Sequence, residues 1–310
     1  MHWQPSAELR VIHERARVYR QIRTFFNTRG CLEVDTPLLM PATNTDVHIE
    51  SMQVMVGGRE LYLQTSPEFA MKRLLAAGSG SIFQIGHAFR QAEQGRLHHP
   101  EFSLLEWYRV GYDYQQIMDE MELLITTLSL HQCVFSRTSY RALFQQSLEI
   151  AIEQISLQEL RTVCAARVPA SDPRSLDFDQ CLDLLVAIVI APTMRGYQFV
   201  YDYPESQAAL ARVSGRDASV AERFELFFDG LELANGFSEL TSASQQRARF
   251  ERDNTARAQQ GLQRHALDEQ LLAALDYGLE DCAGVALGLD RLLMVLLDLD
   301  SIDQVLTFRD

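Results

Sequence analysis

The residue types best suited to chemistry crowd into one stretch, Phe89 to Tyr108, FRQAEQGRLHHPEFSLLEWY. Arg90 opens it with a planar, permanently charged fork that matches phosphate or carboxylate oxygens. A polar loop through Gly95, His98 and His99 follows, and Phe102 then offers an aromatic face on which a purine can stack. The stretch closes on an apolar run carrying one carboxylate and one phenol, Glu106 and Tyr108. A strand-loop-strand of this composition is able to hold a nucleotide at one end and a cationic substrate at the other.

The elements that must position these groups are legible from periodicity. Residues 8–29 predict a helix, with Ile12, Ala16, Tyr19, Ile22 and Phe26 at helical spacing and Gly30 able to end it. Residues 31–37 (CLEVDTP) alternate like a strand that stops at Pro37. Two more strands, 60–64 and 81–85, flank a helix that begins near Ser66-Pro67-Glu68, where the helix dipole favours Glu68. A helix with an acidic outer face covers 113–130, and 131–195 reads as helices over a sheet. A strand at 199–203 ends at Pro204 and is followed by a helix. Residues 222–240 read as two strands around Asp229-Gly230. An arginine-rich helix covers 244–258, and 284–297 is a strand running into an apolar helix. Strands scattered among helices without regular βαβ alternation indicate an α+β fold with a mainly antiparallel sheet flanked by helices.

Composition narrows the function classes. The 310 residues can bury a large core. No apolar run reaches membrane-spanning length and the N-terminus lacks the core of a signal peptide, so a cytoplasmic location is expected and no membrane is involved. Five cysteines without a C-x-x-C pair argue against disulfides and a zinc site. A net charge of −14 disfavours a broad nucleic-acid-binding surface. Of 28 basic residues one is a lysine, Lys72, a bias from which no function follows. Arg10, Arg17, Arg20 and Arg23 form a local basic surface on the first helix.

Three separated segments resemble the motifs of class II aminoacyl-tRNA synthetases. GCLEVDTP (30–37) resembles motif 1, Phe89–Tyr108 motif 2, and GVALGLDR (284–291) motif 3. Within that class, TSPEFAMKRLL (65–75), PEFSLLEWY (100–108) and ELANGFSEL (232–240) are similar to the segments around the lysine pocket of lysyl-tRNA synthetase. That enzyme carries an anticodon-binding domain before its catalytic domain. Here motif 1 begins about thirty residues in, so residues 1–310 are expected to form a single catalytic domain without an anticodon-binding one. The sequence thus resembles the family of lysyl-tRNA synthetase paralogues that modify elongation factor P.

The resemblance implies a class II synthetase catalytic core, a symmetric homodimer through motif 1, and no tRNA charging. It implies activation of (R)-β-lysine with ATP and Mg²⁺ and transfer to a lysine side chain of elongation factor P. Carried over by motif, Arg90 bridges the substrate carboxylate and the α-phosphate, and Arg291 lies near the γ-phosphate and the adenine. Gln91, Ala92, His99, Phe102, Leu233 and Gly288 complete the nucleotide site. Glu225 and Glu232 are the metal-binding carboxylates, Glu232 also touching the nucleotide; hard oxygens of this kind suit Mg²⁺ on phosphates. Glu106, Tyr108 and Glu239 receive the side-chain ammonium, and Glu68, shaped by Ser66 and Pro67, receives the other amino group. Asn235 and Phe237 orient the substrate. Ala286 stands where lysyl-tRNA synthetases tend to have glycine. One methyl group there can bias the site toward β-lysine by roughly 1–3 kcal/mol.

The match departs at two places. The Arg-x-Glu of motif 2 has Ala92 in the third position, with Glu93 one place later, and the family's His-Asn-Pro is His98-His99-Pro100. An alanine cannot accept a hydrogen bond from the adenine amino group. Two further readings therefore stand beside the first: a synthetase-derived ligase for another amino acid, and a non-catalytic regulatory protein on the same fold. For docking of the translation factor, Arg17, Arg20 and Arg23 and the segment Arg247, Arg249 and Arg252 are the candidates.

Overall fold

A computed structural model describes residues 3–170 and 172–309. In chain order the elements are α1 (Leu9–Asn27), β1 (Leu32–Glu33), β2 (Leu39–Met40), β3 (Gln53–Val56), β4 (Arg59–Leu63), α2 (Glu68–Ala76), β5 (Ile82–Phe89), β6 (Glu101–Val110) and α3 (Tyr114–Leu128). Then come β7 (Phe135–Ser139), α4 (Tyr140–Leu148), α5 (Leu157–Arg167), α6 (Phe178–Leu185), β8 (Tyr197–Pro204), β9 (Val220–Phe228) and β10 (Leu231–Ser238). The chain closes with α7 (Ala243–Gln259), α8 (Glu269–Tyr277), β11 (Cys282–Gly288) and α9 (Leu289–Leu297). Two compact units result, one from residues up to Gln132 together with those from Ser238 on, the other from Cys133–Phe237.

In the first unit β5, β6 and β11 pair antiparallel, and β1 joins β5 in parallel. β6 is buried along its centre, and its two faces do different work. Trp107 points to the helical side, where its ring lies 5.2 Å from Phe26 of α1 and its indole N–H donates to Glu120 of α3 at 3.1 Å. Phe26 also stacks on Phe83 at 4.8 Å. Glu106 and Tyr108, two apart on the strand, share the opposite face. Asp113 and Gln116 form a reciprocal cap that starts α3 directly after β6.

A buried carboxylate ties this unit together. Asp290, in the first turn of α9, is 2% exposed. It accepts from the backbone N–H of Ser103 in β6 at 2.6 Å and from the Arg15 guanidinium of α1 at 2.5 Å. Arg15 donates further to the Val305 carbonyl at 2.8 Å. One side chain thus links the segments that resemble motifs 2 and 3 to the helix that precedes the motif 1 segment.

In the second unit β7 runs parallel to β8, which pairs antiparallel with β9, and β9 with β10. The β9–β10 turn is the expected Asp229-Gly230, at φ of 47° and 80°. A side chain at Gly230 would meet the Ala191 carbonyl oxygen 2.2 Å away, so the position demands glycine twice over. α4, α5 and α6 cover a core that includes Phe144, Leu160, Leu182 and Phe227.

Three expectations need correcting. The strand foreseen over 31–37 is reduced to Leu32–Glu33, which has only two residue pairs with β5 before the chain leaves toward Pro37. The 131–195 segment contributes a strand, β7, as well as helices. After Pro204 the chain makes one 3₁₀ turn, Glu205–Gln207, rather than a longer helix, and returns to meet β9.

Replacing Asp290 by alanine is expected to lower the free energy of unfolding by about 3 kcal/mol, because the Arg15 cation and the Ser103 N–H lose their shared acceptor. Denaturant unfolding of the variant beside the wild-type protein measures this; a loss below 1 kcal/mol contradicts the hub role.

Candidate active site

The centre of the first unit holds an uncommon concentration of buried charge. Glu106 is 2% exposed and Glu239 1%, and between the carboxylates lies Lys72, itself 2% exposed. The Lys72 ammonium donates to Glu68 Oε1 at 2.6 Å, one helical turn earlier on α2, and stands 2.5 Å from Glu239 Oε2. The Tyr108 hydroxyl donates to Glu106 Oε1 at 2.6 Å. Glu106 Oε2 and both amide atoms of Gln84 have no hydrogen-bond partner among the described residues. Gln84 lies directly across from Glu106 on β5, and Ala286 directly across on β11.

Local sequence explains the arrangement. Pro67 precedes α2 and Glu68 is its first residue, so Glu68 and Lys72 fall on one face at i and i+4. Glu239 follows β10 immediately and is fixed by its backbone N–H donating to the Cys282 carbonyl at 2.9 Å. Gly284, opposite Tyr108 in the register, leaves the space that both groups use. A Cβ there would lie 2.4 Å from two Tyr108 ring carbons and 2.8 Å from Glu239 Oε1.

Burial sets the protonation behaviour. Loss of water pushes Glu106 up to about 8, with the nearby Glu68 charge adding to it and the Tyr108 hydrogen bond opposing. Glu239 also rises to about 8, again chiefly by burial, with the Lys72 charge pulling the other way. Burial works against the Lys72 charge, yet Glu239 and Glu68 outweigh it and hold the ammonium protonated well into the alkaline range. A buried acidic cluster that retains protons near neutrality is short of cations, and it has unmet acceptor capacity at Glu106.

At the far end of β6, the Arg90 guanidinium lies over the Phe102 ring at 5.0 Å and pairs with Glu93 at 2.9 Å. Its Nε is buried without a partner among the described residues. Glu93, not the absent carboxylate at Ala92, therefore meets the arginine. His99 Nδ1 lies 2.6 Å from the Glu101 carbonyl and 3.2 Å from the Glu101 N–H, so its role depends on the tautomer. The tautomer that donates to the carbonyl has a free lone pair on Nε2, an acceptor in the segment where Ala92 supplies none. Arg291 donates to the Leu97 carbonyl at 3.3 Å, and Arg96 to that of Asp300 at 2.5 Å, pinning the 94–99 loop. Gly288 ends β11 opposite Leu104. Gln91 and Ala92 are exposed, and Ser66 and Pro67 line a small cleft with Thr65 and Phe69.

The remaining predicted residues belong to the second unit. Glu225 faces Asn235 across β9 and β10, and Glu232 faces Phe227. A bulge between Glu232 and Ala234 brings Glu232 and Asn235, three apart, onto one face. Arg223 donates to Glu225 at 2.6 Å and to Asn235 at 3.2 Å, so one Glu225 oxygen is already committed. Leu233 is buried, and Phe237 packs against Ala208, Ala211 and Ala221. No group of three or more metal-ligating side chains occurs among the described residues. Two carboxylates from neighbouring strands on one face of the sheet fit a cation that takes its other ligands from phosphates and water, as Mg²⁺ does.

Lys72, Gln84, Gly284, Arg15 and Arg223 carry no predicted role in the sequence. For Lys72 a signal exists, since a lone lysine four residues after Glu68 must share its helical face. Gln84 gives none. The docking patches also change. Arg249 is 9% exposed and Arg247 is bound to Glu269 at 2.6 and 2.9 Å. Arg17 and Arg23 are paired with Glu14 and Glu33. Arg20 and Arg252 remain exposed.

The fold and the spacing of these groups define a class II synthetase catalytic core. Residues 2–310 match the family of class II tRNA synthetases (D, K and N), and the chain belongs to that family. Among its relatives, a protein of Vibrio campbellii named elongation factor P–(R)-beta-lysine ligase is 48% identical, over 99% of this chain and 97% of its own. Proteins of the same name from Vibrio cholerae and Yersinia enterocolitica are 47% and 46% identical over the same shares.

Gly284→Ala is expected to destabilise the protein by about 1–3 kcal/mol, since the methyl group must displace the Tyr108 ring or the Glu239 carboxylate. Thermal denaturation reads the loss, and an unchanged midpoint contradicts the close packing inferred here.

Proposed function

We propose that this chain is an ATP-dependent ligase that activates (R)-β-lysine as an adenylate and transfers it to a lysine side chain of elongation factor P. The observation that carries the reading is the buried acidic cluster of Glu68, Glu106, Tyr108 and Glu239. Desolvated carboxylates are costly unless cations compensate them, so such a cluster suits an amino acid with two ammonium groups. Relatives named for this activity, at 46–48% identity over nearly the whole chain, support the choice of substrate and acceptor.

In the first step the substrate carboxylate attacks the α-phosphorus of ATP and pyrophosphate leaves. Arg90 holds the carboxylate and α-phosphate together, exchanging its contact with Glu93 for phosphate oxygens. Phe102 and Arg291 flank the adenine, His99 Nε2 accepts from its amino group, and Gly288 lets the nucleotide approach the strand. Gln91, Ala92 and Leu233 complete its surroundings. Glu225 and Glu232 would hold Mg²⁺, which neutralises charge on the phosphates. In the second step the lysine amine of the factor attacks the acyl carbon, forming an amide and releasing AMP. Asn235 and Phe237 orient the amino acid. The absence of a carboxylate at Ala92 favours, as the second reading, a non-catalytic protein on this fold. No helix among the described residues is long and apolar enough to cross a membrane.

Pyrophosphate exchange with α- and β-lysine in parallel tests the assignment, followed by mass spectrometry of the factor. Exchange with β-lysine and a mass gain of one lysyl residue are expected. Exchange with a different amino acid alone, or with none, overturns it. In the same assay Ala286→Gly is expected to shift preference toward α-lysine by roughly tenfold, within the range of one methyl group; an unchanged ratio removes Ala286 from the specificity wall.

The motif 1 segment is proposed to form a symmetric homodimer. Leu32, Leu38 and Leu39, exposed at 56%, 42% and 39%, give it an apolar surface that such an interface would cover. Light scattering is expected to give twice the 35.3 kDa chain mass, and a monomer at micromolar concentration contradicts this.

A further inference from the structure

The buried lysine of the cluster has no place in the reaction described above. It is also the chain's single lysine, in a protein that otherwise uses arginine for every positive side chain. An arginine fork presents five donors in a fixed plane, whereas an ammonium is a compact point charge. Here the point charge sits between carboxylates contributed by α2 and by the residue after β10, at 2.6 and 2.5 Å. It is cut off from water and flanked on β6 by Glu106 and Tyr108.

Counting charge gives it a purpose. Ionised, Glu68, Glu106 and Glu239 carry three negative charges, and Lys72 returns one. The facing positions of β5 and β11, Gln84, Gly284 and Ala286, add none. Two negative charges remain, and a diamino acid brings two ammonium groups. Resting on the functional reading above, we propose that Lys72 is a positioning residue: a built-in counter-ion that holds Glu68 and Glu239 in place and matches the cluster's charge to a dicationic amino acid.

The cluster's protonation gives the idea a signature in pH. Glu106 and Glu239, raised to about 8 in the empty protein, must ionise when a dication enters. Binding therefore expels protons below that value, and affinity rises with pH until the carboxylates are ionised. The Lys72 charge lowers both carboxylates, so its removal moves that rise to higher pH. A residue that merely fills space has no such effect.

The test uses the intact protein, β-lysine and the variants Lys72→Met and Lys72→Arg. Calorimetric binding is measured from pH 6.5 to 9, and pyrophosphate exchange gives KM and kcat. Lys72→Met is expected to raise KM for β-lysine roughly tenfold or more, as loss of a buried charge partner does. It should leave kcat within a few-fold and KM for ATP unchanged, and move the pH midpoint upward. Lys72→Arg keeps the charge but not the compact shape, so it should restore the pH midpoint while KM stays raised several-fold. A folded Lys72→Met with unchanged or lower KM overturns the proposal, the lower value marking Lys72 as an occupant that substrate must displace. If Lys72→Met does not fold, wild-type affinity that stays flat between pH 6.5 and 8.5 overturns it equally. Wild-type protein that binds neither lysine isomer takes down the functional reading itself, whereas normal binding with an indifferent Lys72 takes down only this inference.

Discussion

A single buried ammonium, 2.6 and 2.5 Å from two carboxylates, is the contact on which the site depends. Taking charges out of water costs several kcal/mol per ion, and attraction between them repays this only when geometry is close and remaining lone pairs are met. Glu68 and Glu239 obtain that geometry from Lys72, while Glu106 relies on one hydrogen bond from Tyr108 and keeps a second oxygen unsatisfied. The protein therefore carries a region that is under-compensated by design of its sequence. A stable fold tolerates it because the surrounding strands are rigid, and the missing compensation is what a cationic ligand can bring.

That rigidity comes from a second buried acid with the opposite character. Asp290 has both oxygens engaged, one by the Ser103 N–H and one by Arg15. The helical side of β6 is filled by Trp107, Phe26 and Phe83. A strand held this way cannot slip by one residue without moving Trp107 into the charged cluster and Glu106 into the aromatic core. The satisfied acid fixes the register that keeps the unsatisfied one in place.

Much of this is legible in sequence, for identifiable reasons. Glu106 and Tyr108 announce a shared strand face by their spacing of two, and Asp229-Gly230 announces a hairpin by its turn chemistry. What stays hidden depends on contacts far apart in the chain. Arg15 and Asp290 are separated by 275 positions, and nothing local to either one indicates the other. Gln84 reads as an ordinary strand residue until the register sets it against Glu106. The arginines of α7 read as a docking patch because composition cannot reveal that Arg247 pairs with Glu269 of α8 or that Arg249 is buried. Lys72 is the instructive case: composition makes it look like a relic of arginine bias, and only its placement shows that the exception falls where a compact cation is required.

The altered motif 2 loop follows the same logic of local compensation. With no carboxylate at Ala92, Glu93 turns to Arg90 and keeps the guanidinium over the Phe102 ring. On the proposed function, that pairing would hold the fork in a defined place before phosphate binds, at the cost of one contact to be exchanged. His99 is fixed through Nδ1 by the backbone of Glu101. A neutral imidazole acceptor is weaker than a carboxylate for an exocyclic amine. The loop still carries one carboxylate, Glu93, 2.9 Å from Arg90. On the proposed reading, the loop gives up part of its grip on the base and keeps its phosphate-binding arginine. Substrate discrimination then rests where the structure is most constrained, at the charged cluster on the far half of the same strand.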